Sequence, residues 1–582
     1  MSDYAILNTI HSPADVKKLN ADGRQKLAAD MRAAILNRVS KIGGHVGPNL
    51  GTVELAIALH TVFDSPKDKI VLDVSHQSYP HKLLTGRRQG FVDDAHFGDI
   101  SGYTNPDESE HDLFIVGHTS TSVSLASGLV KARDMQGQKF NVIAVIGDGS
   151  LSGGEAFEGL DNAGDFKSNF IVIVNDNEMS IAENYGGLYG NLAELRATNG
   201  QTENNYFKSL GFDYRYVADG NDAEALIAVL SEVKGINHPV VVHVHTLKGK
   251  GYAFDEQNKE KFHWSMPFDI QTGEVTVGGF AKGYGAYVAE YLDEQAARNA
   301  KLAVINAGTP GALALQDFRA KYPEKYFDVG IAEEHAVAFS SAMAKGGMKP
   351  VALFYGGFIQ RAYDQLSQDL CLNKSPAVLV IEGCGITGMD MTHLSVFDIP
   401  LLSNIPNLVY LAPSSVDELK RMLDWAIAQT AFPVAIRTSA SAPQSLAYAP
   451  KKDIELNKFE VVKQGQKVAI FGLGSMLSLA EKTAEKLKEK GIDATIVNPR
   501  FASGLDVDLL TSLQAKHDTI ITLEDGVLDG GFGEKIARFY GDKSVKVYCF
   551  GAAKEFTDRV PVEELYRRYL LTPEQIVQKV LG

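Results

Sequence analysis

Two apolar runs in this chain end in residues that bind hard cations. Asn141-Val-Ile-Ala-Val-Ile leads into Gly147-Asp148-Gly149, and Phe170-Ile-Val-Ile-Val leads into Asn175-Asp176-Asn177. The Asp148 carboxylate and the Asn177 amide oxygen suit Mg²⁺, which takes oxygen ligands and is commonly shared with substrate phosphates. The flanking glycines let a diphosphate approach the backbone closely. Glu333, in Ile331-Ala-Glu-Glu-His-Ala-Val-Ala-Phe, and His393, in Gly388-Met-Asp-Met-Thr-His, carry ionisable side chains. Histidine ordinarily titrates near neutrality, which suits proton transfer. Each residue also has an ordinary explanation: a turn Asp, a strand-end Asn, a surface histidine, or a carboxylate favoured in the first turn of a helix. The last of these accounts for Glu334.

The elements that must position these groups are legible as patterns. Besides the two runs above, Val240-Val-Val-His-Val, Leu302-Ala-Val-Ile, Val351-Ala-Leu-Phe, Ala377-Val-Leu-Val-Ile and Val468-Ala-Ile-Phe are β-branched, unalternated runs. Such runs fit parallel strands covered on both faces. Helical patterns lie between them over 222–234, 415–429 and 478–490, and a further one after Gly149 places Ala156, Leu160 and Ala163 on one face. Around Glu333, a strand and turn at Tyr326-Phe-Asp-Val-Gly precede a helix with Ala336, Phe339 and Met343 spaced for burial. The fold class is therefore α/β with mostly parallel sheets. A right-handed βαβ crossover brings the ends of both metal-bearing strands to one sheet edge, so Asp148 and Asn177 approach there.

The 582 residues carry 57 basic and 72 acidic side chains, a net charge of −15. Such a chain repels a polyphosphate backbone, so no nucleic-acid partner is expected. Three scattered cysteines, Cys371, Cys384 and Cys549, are too few for a disulfide scaffold or a four-cysteine zinc site, and fit a reducing compartment. No apolar run is long enough for a membrane span and no signal peptide is visible at the N-terminus, so a cytoplasmic protein is expected. Breaks near 270–280 and 439–457 divide the chain into expected domains of 1–273, 274–440 and 441–582.

Gly-Asp-Gly followed about thirty residues later by Asn resembles the diphosphate–Mg²⁺ motif of thiamine-diphosphate enzymes. More of the chain resembles the 1-deoxy-D-xylulose-5-phosphate synthase family, relatives of transketolase. The stretches that carry this resemblance are Gly43-Gly-His-Val-Gly-Pro-Asn-Leu-Gly, Asp73-Val-Ser-His-Gln-Ser-Tyr-Pro-His-Lys-Leu-Leu-Thr-Gly-Arg, Gly117-His-Thr-Ser-Thr-Ser, Asn175-Asp-Asn-Glu-Met-Ser-Ile and Tyr355-Gly-Gly-Phe-Ile-Gln-Arg-Ala-Tyr-Asp-Gln. It implies three domains: a thiamine-diphosphate-binding domain, a pyrimidine-binding transketolase-like domain and a transketolase C-terminal domain. It implies Mg²⁺ on Asp148, Asn177 and the Met179 carbonyl. His76, Gly117, His118, Thr119, Gly149, Ser150, Asn177 and Tyr252 would line the cofactor, with Phe358 packed on its pyrimidine. Glu333 would activate the cofactor by hydrogen bonding to its aminopyrimidine ring. His45 and His263 would point into the reaction cavity, and His393 would move protons at the aldehyde. Tyr355, Arg361 and Asp390 would contact the acceptor, with Arg361 on its phosphate. His81 is taken as structural. The implied reaction decarboxylates pyruvate and transfers the two-carbon unit to D-glyceraldehyde 3-phosphate in a homodimer, as a step toward isoprenoid precursors or thiamine.

The acceptor region departs from the family. Glu382-Gly383-Cys384-Gly385 stands where Asp-Arg-Ala-Gly is usual, and Ala440 stands where a second arginine is usual. The loop through Asp390 and the segment after Asn184 are both shorter than usual. A charge-assisted contact is worth roughly 1.5–3 kcal/mol, so two uncompensated losses would weaken phosphate binding by orders of magnitude. Arg437 or a nearby lysine is the candidate to compensate. The departures keep open a related enzyme with another aldehyde acceptor or a ketose donor, and a cofactor-binding regulatory protein without catalysis. Gly383-Cys-Gly-Ile-Thr-Gly mimics a dinucleotide fingerprint but lacks the following amphipathic helix, so it is read as a turn.

Overall fold

A computed structural model describes residues 4–278 and 282–582. The end of the 270–280 linker stretch and the first three residues of the chain lie outside the described residues. Three sheets are present. The first orders β1 (Lys69–Leu72), β2 (Val142–Gly147), β3 (Phe170–Asp176), β4 (Asp213–Val217) and β5 (Pro239–His245) as β1-β2-β3-β5-β4, all parallel. The second contains β6 (Leu302–Asn306), β7 (Tyr326–Asp328), β8 (Lys349–Tyr355), β9 (Val378–Cys384), β10 (Val409–Leu411) and β11 (Val434–Ser439). Its order is β10-β11-β9-β8-β6-β7, again all parallel. The third contains β12 (Glu460–Lys463), β13 (Lys467–Gly472), β14 (Thr495–Asn498), β15 (His517–Val527) and β16 (Lys546–Ala552), ordered β12-β14-β13-β15-β16. Only its edge strand β12 runs antiparallel.

The unalternated strand sequences have the expected cause. Along β2, Val142, Ala144 and Ile146 enter one apolar cluster with Val123, Ala156, Leu160 and Ala163. Ile143 and Val145 enter another, with Leu55, Leu59 and Leu226. Both faces of the sheet are thus dry, and alternation would leave a polar residue buried. The helices expected over 222–234, 415–429 and 478–490 are found at Ala223–Val233, Val416–Ala428 and Leu477–Glu489. Asp222 and Ser415 cap the first two, accepting hydrogen bonds from backbone N–H groups of the opening turn. The helix Glu333–Lys345 differs from its pattern: Glu333, Ala336, Val337, Ser340, Ser341 and Ala344 are buried, while Phe339 and Met343 sit at the margin of the core.

The chain divides into two compact units. One comprises Met1–Gly279 with Gly330–Ala332, the other Phe280–Val329 with Glu333–Gly582. The second and third sheets therefore share a unit; one apolar cluster runs from Val351 and Leu379 to Phe471 and Phe532, while Val468, Ile470, Ile521 and Leu523 of the third sheet enter a second one. A buried ion-pair network joins them. Arg437 on β11 binds Asp398 at 2.7 Å and Asp525 on β15 at 2.6 Å. The three cysteines are free, and among the described residues no helix is long and apolar enough to cross a membrane.

Candidate active site

In the first unit, β2 and β3 are adjacent and parallel, with Gly147 opposite Asn175. The Asp148 N–H donates to the Asn175 carbonyl at 3.1 Å, which sets the two strand ends side by side. The Asp148 carboxyl is buried. Asn184 Nδ2 donates to its Oδ2 at 2.7 Å, while Oδ1 has no hydrogen-bond partner. Burial, reinforced by the nearby Asp176 charge, lifts Asp148 to about 7. An isolated buried carboxylate oxygen is costly unless a donor or cation meets it. Mg²⁺ fits this position: Asp148 Oδ1 is a bare acceptor, and Asn177 lies on the next strand end. Asn177 Oδ1 accepts the Met179 N–H at 3.2 Å, and Glu178 takes φ 66°, so the chain turns sharply after β3. A Cβ on Gly149 would lie 2.9 Å from Ser180 Cα, so only glycine permits this approach.

Buried polar side chains hold the other loops of this unit. Asp73, at the end of β1, accepts the N–H groups of Ser120 (2.8 Å) and Ser122 (2.9 Å), which fixes the stretch following Gly117, His118 and Thr119. Ser120 Oγ donates to the Ser150 carbonyl at 2.8 Å. Asn49 donates to the carbonyls of both His45 (2.9 Å) and His76 (2.8 Å). Gly44 and Ser265 exchange backbone hydrogen bonds at 2.9 and 3.0 Å, which sets His45 beside His263. The result is a trio of rings, with centroids 4.9 Å apart for His45–His76, 5.6 Å for His45–His263 and 5.2 Å for His76–His263. Burial, then the neighbouring Lys248, His76 and His45, push His263 well below its ordinary pKa. His81 belongs to a buried network with His60 (2.9 Å) and Asp112 (3.0 Å), away from this trio. Tyr252 also stands apart. Its ring packs against Phe262 and Phe268 and its hydroxyl donates to the Ile270 carbonyl, as in a core tyrosine.

In the second unit Glu333 opens its helix and is 3% exposed. Its Oε2 has no hydrogen-bond partner, and Arg361 Nη1 is an ion-pair neighbour at 3.5 Å. Burial raises the Glu333 pKa, and Arg361 partly offsets that rise. Phe358 is 5.2 Å from Tyr355 and 5.6 Å from His393, ring to ring. His393 Nδ1 lies 3.3 Å from Asp390 Oδ1. Burial opposes the Asp390 charge, but hydrogen bonds from His393 and Thr392 outweigh it and bring Asp390 to about 2. Glu333, Arg361, Phe358, Tyr355, Asp390 and His393 are thus linked by contacts within one unit.

The departures from the family acquire structural reasons. Gly383 has φ 73°, and a Cβ there would lie 2.6 Å from Tyr355 Cε2. The position excludes arginine because the Tyr355 ring fills the space. Arg437 cannot compensate: it is 2% exposed and committed to Asp398 and Asp525. Ala440 is exposed at the end of β11. The Arg559 backbone N–H donates to the Met389 carbonyl at 2.9 Å, and its guanidinium pairs with Asp558 at 3.2 Å. Motif reading missed Asn49, Asn184 and Lys248, because each acts through a neighbour distant in sequence. Glu382 also escaped it: burial lifts this carboxyl to about 7 against an opposing hydrogen bond from the Gly285 N–H.

A model of 1-deoxy-D-xylulose-5-phosphate synthase matches residues 7–204 and 196–246. The transketolase pyrimidine-binding domain matches 281–444, and the transketolase C-terminal domain matches 457–576. The 1-deoxy-D-xylulose-5-phosphate synthase of Pelotomaculum thermopropionicum is 40% identical over 99% of this chain and 96% of its own. That of Caldanaerobacter subterraneus subsp. tengcongensis is 40% identical over 99% of each. That of Symbiobacterium thermophilum is 40% identical over 98% of this chain and 94% of its own. A solved structure described as a split gene transketolase, inactive beta4 tetramer, is 25% identical over 52% of this chain and 99% of that one, with a TM-score of 0.46. The near-complete coverage at this identity makes the assignment: the chain belongs to the 1-deoxy-D-xylulose-5-phosphate synthase family.

Proposed function

We infer that this protein is a transketolase-type transferase that decarboxylates pyruvate and condenses the two-carbon unit with D-glyceraldehyde 3-phosphate, giving 1-deoxy-D-xylulose 5-phosphate and CO₂. The observation that carries the reading is the buried Glu333 carboxyl at the head of its helix, with Oε2 unbonded, in a chain so similar to enzymes of that name. Thiamine diphosphate, when bound, supplies the carbon nucleophile and the electron sink for decarboxylation. Asp148, Asn177 and the Met179 carbonyl hold Mg²⁺. Gly149 and Ser150, with the Gly117–Thr119 stretch and His76, would line the cofactor. Glu333 holds a proton against the aminopyrimidine nitrogen, for which its raised pKa suits it. Phe358 packs on the ring. His45 and His263 present polar edges to the donor, and His393, oriented by Asp390, moves the proton at the acceptor aldehyde. Arg361 contacts the acceptor phosphate. The protein works as a cytoplasmic homodimer.

One specific observation favours a second reading. The Tyr355 ring excludes an arginine from position 383, and Arg437 is consumed by carboxylates, so the acceptor pocket is poorer in phosphate-binding charge. A less anionic aldehyde is then the better acceptor. CO₂ release from pyruvate with thiamine diphosphate and Mg²⁺ separates the readings. Dependence on glyceraldehyde 3-phosphate supports the first. Equal or better release with free glyceraldehyde supports the second. Turnover only with a ketose donor, or none with any donor, overturns both.

A further inference from the structure

Lys248 lies outside every motif that identifies the site, yet its side chain is among the most buried in the protein, at 2% exposure. Its Nζ sits 2.7 Å from the Ser180 carbonyl and 3.1 Å from His263 Nδ1. An ammonium group has three donors and no acceptor, so the imidazole nitrogen facing it must offer a lone pair. A neutral imidazole carries one proton, which then resides on Nε2. The rest of the ring is enclosed by His76, stacked at 5.2 Å, and His45, edge-on at 5.6 Å.

Asp255 is fully buried, and neither of its carboxylate oxygens has a hydrogen-bond partner. Gly47 separates it from the lysine stem: a Cβ there would lie 2.9 Å from Asp255 Oδ1 and 3.1 Å from Lys248 Cγ. Gly249, at φ 81°, leaves room for the same carboxyl, since its Cβ would lie 2.5 Å from Asp255 Cγ. Burial lowers Lys248 to about 8 and raises Asp255 to about 8, and each charge partly offsets the shift of the other.

We propose that Lys248 is a positioning residue that locks His263 as the neutral Nε2–H tautomer. This rests on the reading that His263 faces the reaction cavity, and it deepens that reading. His263 so held donates a hydrogen bond to a substrate oxygen through Nε2, and it does not accept a proton there. The proton acceptor of the reaction must be another group.

¹⁵N NMR of histidine-labelled, cofactor-free protein tests the lock without any turnover, with the His263 signals assigned by their loss in His263→Gln. The expected spectrum shows a bare Nδ1 and a protonated Nε2. Lys248→Met should introduce the Nδ1–H tautomer, whereas Lys248→Gln, which keeps an N–H donor, should retain the original one. Turnover of the loaded enzyme should fall roughly tenfold or more in Lys248→Met and less in Lys248→Gln. A protonated Nδ1 in the unmodified protein, or an unchanged tautomer in Lys248→Met, overturns the proposal. If the lock is present but His263→Gln turns over normally, the assigned role of His263 fails and the lock stands.

Discussion

The two units hold their candidate site residues differently. In the first unit each loop is tied to a buried polar side chain: Asp73 holds the stretch after Thr119, Asn49 joins the loops of His45 and His76, and Asn184 braces Asp148. In the second unit the groups meet through ring contacts, through the ion pairs Glu333–Arg361 at 3.5 Å and His393–Asp390 at 3.3 Å, and through the Thr392 N–H on Asp390. The difference tracks what each half must do. A cation and a diphosphate demand fixed oxygen and N–H positions, because misplaced charge in a dry site is expensive. In the second unit, position 383 carries glycine where arginine is usual in the family, and the Tyr355 ring lies against it.

The comparison can be broken most sharply at Glu333. Glu333→Ala should lower kcat roughly 10²–10⁴-fold while Mg²⁺-dependent cofactor binding persists in weaker form. Turnover within tenfold of the unmodified enzyme would falsify the activating role. Asp148→Ala should weaken metal-dependent cofactor binding by more than the roughly 10–100-fold typical of outer-shell partners of a metal. Titration calorimetry giving normal affinity would mean that the first unit's rigidity serves something other than a cation.

Smaller effects sharpen the second half. Gly383→Ala forces a Cβ against the Tyr355 ring at a left-handed backbone position, a strain of roughly 1–3 kcal/mol. The Michaelis constant for the acceptor should rise several-fold with that for pyruvate nearly constant, and equal changes in both would show that Tyr355 does not shape the acceptor pocket. The smallest effect concerns Glu382, lifted to about 7 from an ordinary 4.5. Its folded form keeps a proton that the unfolded chain loses between those values. That contribution is complete below 4.5, fades as pH rises toward 7 and is constant above. Glu382→Gln should therefore flatten the fall in melting temperature over this window by no more than a few °C. A parallel pH profile in the variant would mean that the carboxyl is already ionised at low pH.

Much of the architecture could be read from local pattern. β2, β3 and β5 announce themselves because strands covered on both faces cannot alternate, and the helices between them carry caps such as Asp222 and Ser415. Asp148 and Asn177 were legible because a parallel βαβ unit leaves little freedom in where its strand ends lie. β1, β4, β10, β11, β12, β14, β15 and β16 were not singled out; β1, β4 and β12 are short or partly exposed runs whose strand state depends on a neighbour. The face of the Glu333 helix was misjudged at Phe339 and Met343, since apolar spacing does not register that Glu333, Ser340 and Ser341 are themselves buried.

Residue identity and order alone determined the family and the adjacent strand ends that carry Asp148 and Asn177, because those depend on short-range geometry that the backbone enforces wherever the motif occurs. Only the folded structure decided that Arg437 is spent on Asp398 and Asp525, that position 383 has no room for a side chain, and that Lys248 faces His263. Those are contacts between segments brought together by packing. Whether a charged group binds a substrate or a neighbouring carboxylate depends on what the tertiary fold places within hydrogen-bond reach.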